Sequence, residues 1–239
     1  MEIILFGLVF FVAGIISELI GFGVATISMS ILPFILPLDV VIPLVAITAM
    51  IATGIVAFQT KSKDVFKHIT PLLAGSVIGV VIGMFFLNVI DKKILSAILG
   101  LFLVAYALYG TIIKKHYFHT GKKLGIFIGI LSGFFGSFLN IHGPFVGIYS
   151  SSDGRASKED IKDMIATYIF ITGLLTITGH ALAERVTKEV LTYFLISLPF
   201  LILGLLTGTK LFKNIDAKTV KYGVYLFVFI AGTSLLFLK

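Results

Sequence analysis

Cysteine is absent from this chain of 239 residues. Its absence excludes a disulfide framework, a thiolate metal site and a cysteine nucleophile, and leaves the redox compartment unspecified. Charge is scarce as well. Only 13% of residues are charged, 19 basic and 12 acidic, against about 25% in an average soluble domain. The opening Met1-Glu2 lacks a basic n-region, so no cleaved signal peptide is expected and the first apolar span is expected to stay. No glycine loop ends in Gly-Lys-Ser/Thr, and Gly121-Lys122-Lys123 is a plain loop, so no ATP drive is expected within the chain. His116 and His119 stand three apart with no acid nearby in sequence, which gives no metal spacing. No metal site and no cofactor are expected.

What the chain has is apolar. Hydrophobic residues make up 58%, Phe numbers 23, Gly 24, and mean hydropathy is +1.09. So few charges cannot cover that much apolar surface in water, and the chain reads as an all-α, polytopic helical membrane protein. The net charge of +7 lies in short loops between apolar stretches. That placement fits membrane topology and anionic lipid, not nucleic acid. The expected location is the cell membrane, and the oligomeric state is not legible.

A hydrocarbon core about 30 Å thick needs roughly 20 apolar helical residues. Eight segments qualify, over 3–37, 40–58, 65–87, 94–113, 124–149, 161–183, 190–211 and 220–238. Six read as single helices. The first and fifth are interrupted, at Gly21-Phe22-Gly23 and from Gly136-Ser137 through Asn140-Ile141-His142-Gly143-Pro144. Gly75, Gly79 and Gly83 form a ladder of step four, as do Gly125, Gly129 and Gly133, and Gly204 with Gly208. Such ladders let helix backbones approach closely in lipid.

The two halves resemble each other. Gly14-Ile-Ile-Ser-Glu-Leu-Ile-Gly21 aligns with Gly129-Ile-Leu-Ser-Gly-Phe-Phe-Gly136, which sets Glu18 against Gly133. Later, Gly79, Gly83, Ile90, Asp91 and Lys93 align with Gly204, Gly208, Ile215, Asp216 and Lys218. The reading is an N-terminal repeat over 1–113, a basic connecting loop over 114–120 and a C-terminal repeat over 121–239, within one membrane domain. Each repeat holds one broken segment and three plain helices. Positive charge tests the fifth segment. If it crosses, the 19 Lys and Arg divide 10 against 9; if it is a re-entrant hairpin, they divide 14 against 5. The hairpin obeys the positive-inside rule. Carried to the first segment by the repeat, it gives three crossings per half and therefore inverted repeats, an architecture of secondary transporters. The charge count itself does not tell whether segment one is re-entrant or crosses.

On these residues the chain resembles the sulfite exporter TauE/SafE family. The likeness rests on the glycine-rich breaks, the basic loop of Lys61, Lys63 and Lys67, and the repeated Gly-x3-Gly…Ile-Asp-x-Lys element. It implies a transporter of small anions, notably sulfite and organosulfonates.

The candidate substrate contacts are Gly21, Gly23, Thr26, Gly136, Ser137, Asn140, His142 and Gly143. Half-helices beginning near Val24 and near Gly143 would aim free N–H groups and positive dipole ends at an anion. His142 adds a donor or a titrating charge. Ser and Thr hydroxyls add neutral donors, although such groups often bond their own helix. No Lys or Arg is read as deep enough to bind the anion. Glu18, the one acid deep in a span, is the candidate for proton coupling; the bland alternative is a neutral, hydrogen-bonded structural Glu. The reading is a secondary transporter (exporter) of small anions working by alternating access, and not an enzyme. The alternatives are a passive anion channel and a structural membrane subunit.

Overall fold

The structure is a computed structural model that describes residues 2–20, 22–60, 63–112, 121–151, 157–211 and 217–237. Gly21 and the connecting loop 114–120, with His116 and His119, lie outside the described residues, as do Ile215 and Asp216 of the repeated element. Among the described residues all regular structure is helical. In chain order the helices are α1 (Glu2–Ile20), α2 (Gly23–Ile31), α3 (Leu38–Gln59), α4 (Lys63–Val89), α5 (Lys92–Ile112), α6 (Lys122–Leu139), α7 (Gly143–Ser150), α8 (Lys158–Leu182), α9 (Lys188–Leu211) and α10 (Ala217–Leu236). A 3-10 turn, Leu32–Phe34, follows α2. Six helices are long and apolar enough to cross a membrane: α3, α4, α5, α6, α8 and α9. Leu8, Phe85, Val89, Leu101, Leu195 and Leu226 are among the large apolar side chains left exposed on the outside. Hydrocarbon, not water, is the solvent such a surface matches.

Local chemistry accounts for the helix ends. Ser157 and Asp160 close a capping box at the start of α8, with Ser157 Oγ accepting from the Asp160 N–H at 3.0 Å. α3 follows Pro37 and carries Asp39 in its first turn, where the dipole favours an acid. Segments one and five are each split in two, as their glycines and polar residues imply. The second break is narrower than the sequence implies. α6 runs unbroken through Gly136 and Ser137 and stops at Asn140, whose φ of 58° is left-handed and turns the chain. α6 therefore has 18 residues, about 27 Å at 1.5 Å per residue. That is longer than the 12-residue arm ending at Phe135 that the glycine positions suggest.

Both breaks fold the chain back. α2 packs along α1, and α7 packs against α6 and α8. A Cβ at Gly23 would strike the backbone of Ile16 and Ser17, so only a bare backbone allows so tight a return.

The strongest packing joins residues of one half to residues of the other: α4 lies along α6, α1 along α9, α3 against α8 and α5 against α10. The glycine ladders set the registers. Gly75, Gly79 and Gly83 press on Ile126, Ile130 and Phe134, so α4 and α6 run parallel. Gly204 and Gly208 press on Phe11 and Ile15, so α1 and α9 also run parallel. Gly54 meets Phe170 while Gly173 meets Met50, so α3 and α8 are antiparallel. The same argument holds for α5 and α10, where Gly100 meets Gly232 and Gly110 meets Tyr225. The main apolar core, with Phe10, Met29, Leu44, Leu99 and Phe138 fully buried, fills the space between these pairs.

A side chain at a ladder position has nowhere to go but into backbone. Gly133→Val would drive its Cβ into the Ser76 backbone. The expected cost is at least the roughly 1–3 kcal/mol of overpacking, read as a lowered melting temperature in detergent. Gly121→Val, where no described residue lies within 4 Å, should melt with the parent.

Candidate functional site

The two breaks meet. A Cβ on Gly143, the first residue of α7, would overlap the ring of Phe22, the residue before α2. Between them lies a narrow cleft of only about 10 Å³, scarcely the room that one water molecule needs. From the first break it is lined by Phe22, Val24, Ala25 and Thr26, and from the second by Asn140, Ile141, Gly143 and Pro144. Ser17 of α1, Ala49 and Thr53 of α3, and Ile169 of α8 complete the wall.

The start of α2 and the start of α7 thus border one space. Neither has a side-chain cap. Their first-turn N–H groups therefore keep the unsatisfied donors and partial positive charge of a helix start. Pro144 in the first turn of α7 has no N–H to lose there.

Most side chains singled out in the sequence serve the walls. Thr26 lines the cavity, but its Oγ1 donates to the Phe22 carbonyl at 3.1 Å. Ser137 is buried and donates to the Phe134 carbonyl at 2.8 Å, inside α6. Asn140 lines the cavity and spends one amide N–H on the Ile42 carbonyl of α3, at 3.0 Å. Gly136 is covered by the His142 ring, which any Cβ at that position would strike. His142 is the residue before α7 and is 4% exposed. Its ring faces Gly136 and meets Tyr168 edge-on, centroids 6.0 Å apart, so it stands behind the cavity lining. Gly23 seals the first turn of α2 against α1.

Glu18 is buried at the end of α1 and is not alone. Lys162, on the second turn of α8, donates to Glu18 Oε2 at 2.7 Å. The side chains are 11% and 25% exposed respectively. Lys162 is paired with Glu18 and is not among the described residues that line the cavity. An opposite charge within contact makes the carboxylate tolerable. Lys162 escapes a sequence reading because its place, just past a cap, resembles a loop. The signal is Glu18 itself, which as a deep acid demands a partner. Phe22, Ala49, Thr53 and Ile169 also escape it, because only the fold brings them to the cavity.

The model of the sulfite exporter TauE/SafE family matches residues 6–235. The chain belongs to that family. No curated protein and no solved structure gives a match. As a TauE/SafE protein with several helices of crossing length, it is a multi-pass membrane protein. The family is one of transporters and is not an enzyme class.

The ion pair gives a direct test of wall stability in this TauE/SafE chain. Glu18→Gln and Lys162→Met each remove one member of the pair. The expected loss lies between the ~1 kcal/mol of exposed pairs and the ~3–5 kcal/mol of buried ones. The double variant should recover part of it, as read from melting temperatures in a double-mutant cycle.

Proposed function

We propose that this chain is a secondary transporter, an exporter, that moves small anions such as sulfite or organosulfonates by alternating access between two inverted repeats. One observation carries the reading: the uncapped starts of two short helices, one from each half, border the same small cavity. Each start acts as roughly half a positive charge. A pyramidal sulfur oxyanion presents three oxygens, which N–H groups arriving from two sides can share. No Lys or Arg is among the described residues that line the cavity. Binding by dipoles alone is weak enough for release, which turnover requires.

Helix directions support the inversion. α8 and α9, joined by residues 183–187, cross in opposite senses. Gly179 presses on Met84, and beyond it Arg185 meets Asn88, so α8 runs parallel to α4 and therefore to α6. Since α1 runs with α9, the two broken segments enter from opposite faces. The Arg185–Asn88 contact also supports a re-entrant second segment. It brings the ends of α4 and α8 to one face, which an odd number of crossings between them would forbid. The glycine ladders then serve as the surfaces on which each broken segment is held by the opposite half.

The test is counterflow in proteoliposomes. Preloaded unlabelled sulfite should drive transient accumulation of [35S]sulfite, with methanesulfonate competing. Conductance without exchange would identify a channel instead, and no flux would remove the transport reading. Gly143→Ala, which pushes Phe22, should lower exchange at least tenfold, and Phe22→Ala in the same chain should restore part of it. The parent lacks cysteine, so single cysteines report topology cleanly. Cysteines at 121 and 157 should label from one face and a cysteine at 184 from the other; labelling of 121 and 157 from opposite faces contradicts the hairpin.

A further inference from the structure

The cavity leaves a more polar buried interface unused. Down one face of α8, at steps of four, stand Tyr168, Thr172, Thr176 and His180, each no more than 1% exposed. Residues four apart share a helix face. These 12 residues rise about 18 Å, more than half of a hydrocarbon core about 30 Å thick. The two ends of this face, Tyr168 and His180, are turned towards α4 and α6. The Tyr168 hydroxyl interacts with Ser76 of α4 and Ser132 of α6, outside ordinary hydrogen-bond geometry. One end of the line meets His142 behind the cavity, through the edge-on contact with Tyr168. At the other end, the His180 ring faces the Ser137 carbonyl and stands near Arg185, whose guanidinium donates to Asn88.

Six atoms on this line are buried without a hydrogen-bond partner: Ser132 Oγ, His142 Nδ1, Tyr168 Oη, Thr176 Oγ1 and both ring nitrogens of His180. Native interiors leave few such groups, and ordered water is what usually satisfies them. Five further such atoms, Ser28 Oγ, His68 Nε2, Ser96 Oγ, Ser150 Oγ and Thr167 Oγ1, are scattered off this line, and the contact of α1 with α9 has none among the described residues. The placement of the six along the contact of α8 with α4 and α6, with an imidazole at each end, calls for a ligand that donates and accepts along its length. A chain of water has that property.

We propose that the interface of α4, α6 and α8 is a hydrated proton path leading from the face that bears Arg185, through His180, Thr176 and Tyr168, to His142 at the back of the cavity. A ring nitrogen of His180 takes a proton from water while the other releases one to the hydroxyl and water chain. His142 Nδ1 receives it, one proton arrives for each that leaves, and no electrons are exchanged. Around His180 stand Met84 and Asn88 from α4, the Ser137 carbonyl from α6, and Arg185, with Asp39 and its partner Lys92 beyond it. Around His142 stand Tyr168 from α8 and Gly136 with the Ser132 carbonyl from α6. The route reaches the cavity wall without Glu18, which Lys162 holds. What the proton drives rests on the transport reading above; the hydration of the path does not.

Two measurements on the whole protein separate these claims. Radiolytic hydroxyl-radical footprinting in lipid nanodiscs oxidises side chains next to bound water. Corrected for intrinsic reactivity, Tyr168 and His180 should be labelled at least threefold above the equally buried Phe10 and Phe138; equal labelling overturns the path whatever the protein transports. In proteoliposomes, accumulation of [14C]methanesulfonate is driven by an imposed pH gradient. A sulfonate stays ionised throughout, so the proton moved is not the substrate's own. Thr176→Val and His180→Phe should each cut this accumulation at least tenfold while exchange at equal pH stays within twofold. Accumulation retained by both variants overturns the path. Absence of exchange in the parent overturns the transport reading alone, and footprinting still decides the path.

Discussion

Backbone touching backbone across glycine is the contact on which the molecule depends. In lipid there is little hydrophobic force to bring helices together, so close van der Waals approach has to do it. Gly79 against Ile130 and Gly204 against Phe11 are such approaches. Each lays a broken segment of one half along a plain helix of the other. The breaks can therefore carry exposed N–H groups and polar side chains in the interior of a bilayer, because protein on all sides replaces the missing lipid contact. Loosening either ladder would leave α1 or α6 without its longest support.

On that frame the polar features divide into two sets. The helix starts of α2 and α7 border the cavity and provide partial charge with no fixed ion. The Glu18–Lys162 pair and the α8 stripe lie around it and involve groups that can hold a full charge. The first set suits transient binding of an anion. The second connects the hairpin ends to α8, so the helix that meets α3 near the centre of the molecule also carries Lys162, Tyr168 and His180.

Much of this was legible in the sequence. Hydropathy located the six plain helices within a few residues, because lipid imposes length and polarity on each crossing. Gly143 announced the start of α7. The second break was drawn too wide for a definite reason. Gly136 aligns with Gly21, but it is glycine to admit the His142 ring, while Asn140 makes the turn. Lys162 stayed hidden because an entry position of a helix looks like loop until the fold brings an acid to it. The cross-half packing was hidden too, since a repeat reveals which segments are alike and not which ones touch.

The pairing of α1 with α9 has a consequence for biosynthesis. Chains emerge from the N-terminal side, and neighbours that touch early shield each other. Here the glycine face of α1 that contains Gly7 and Gly14 is closed by Phe200 and Leu201, residues translated long afterwards. Until α9 enters the bilayer, α1 has only α2 as a substantial contact from its own half. Insertion and folding are therefore separate events for this chain: a helix is placed in the membrane early and becomes part of the structure only when nearly all of the remainder has followed.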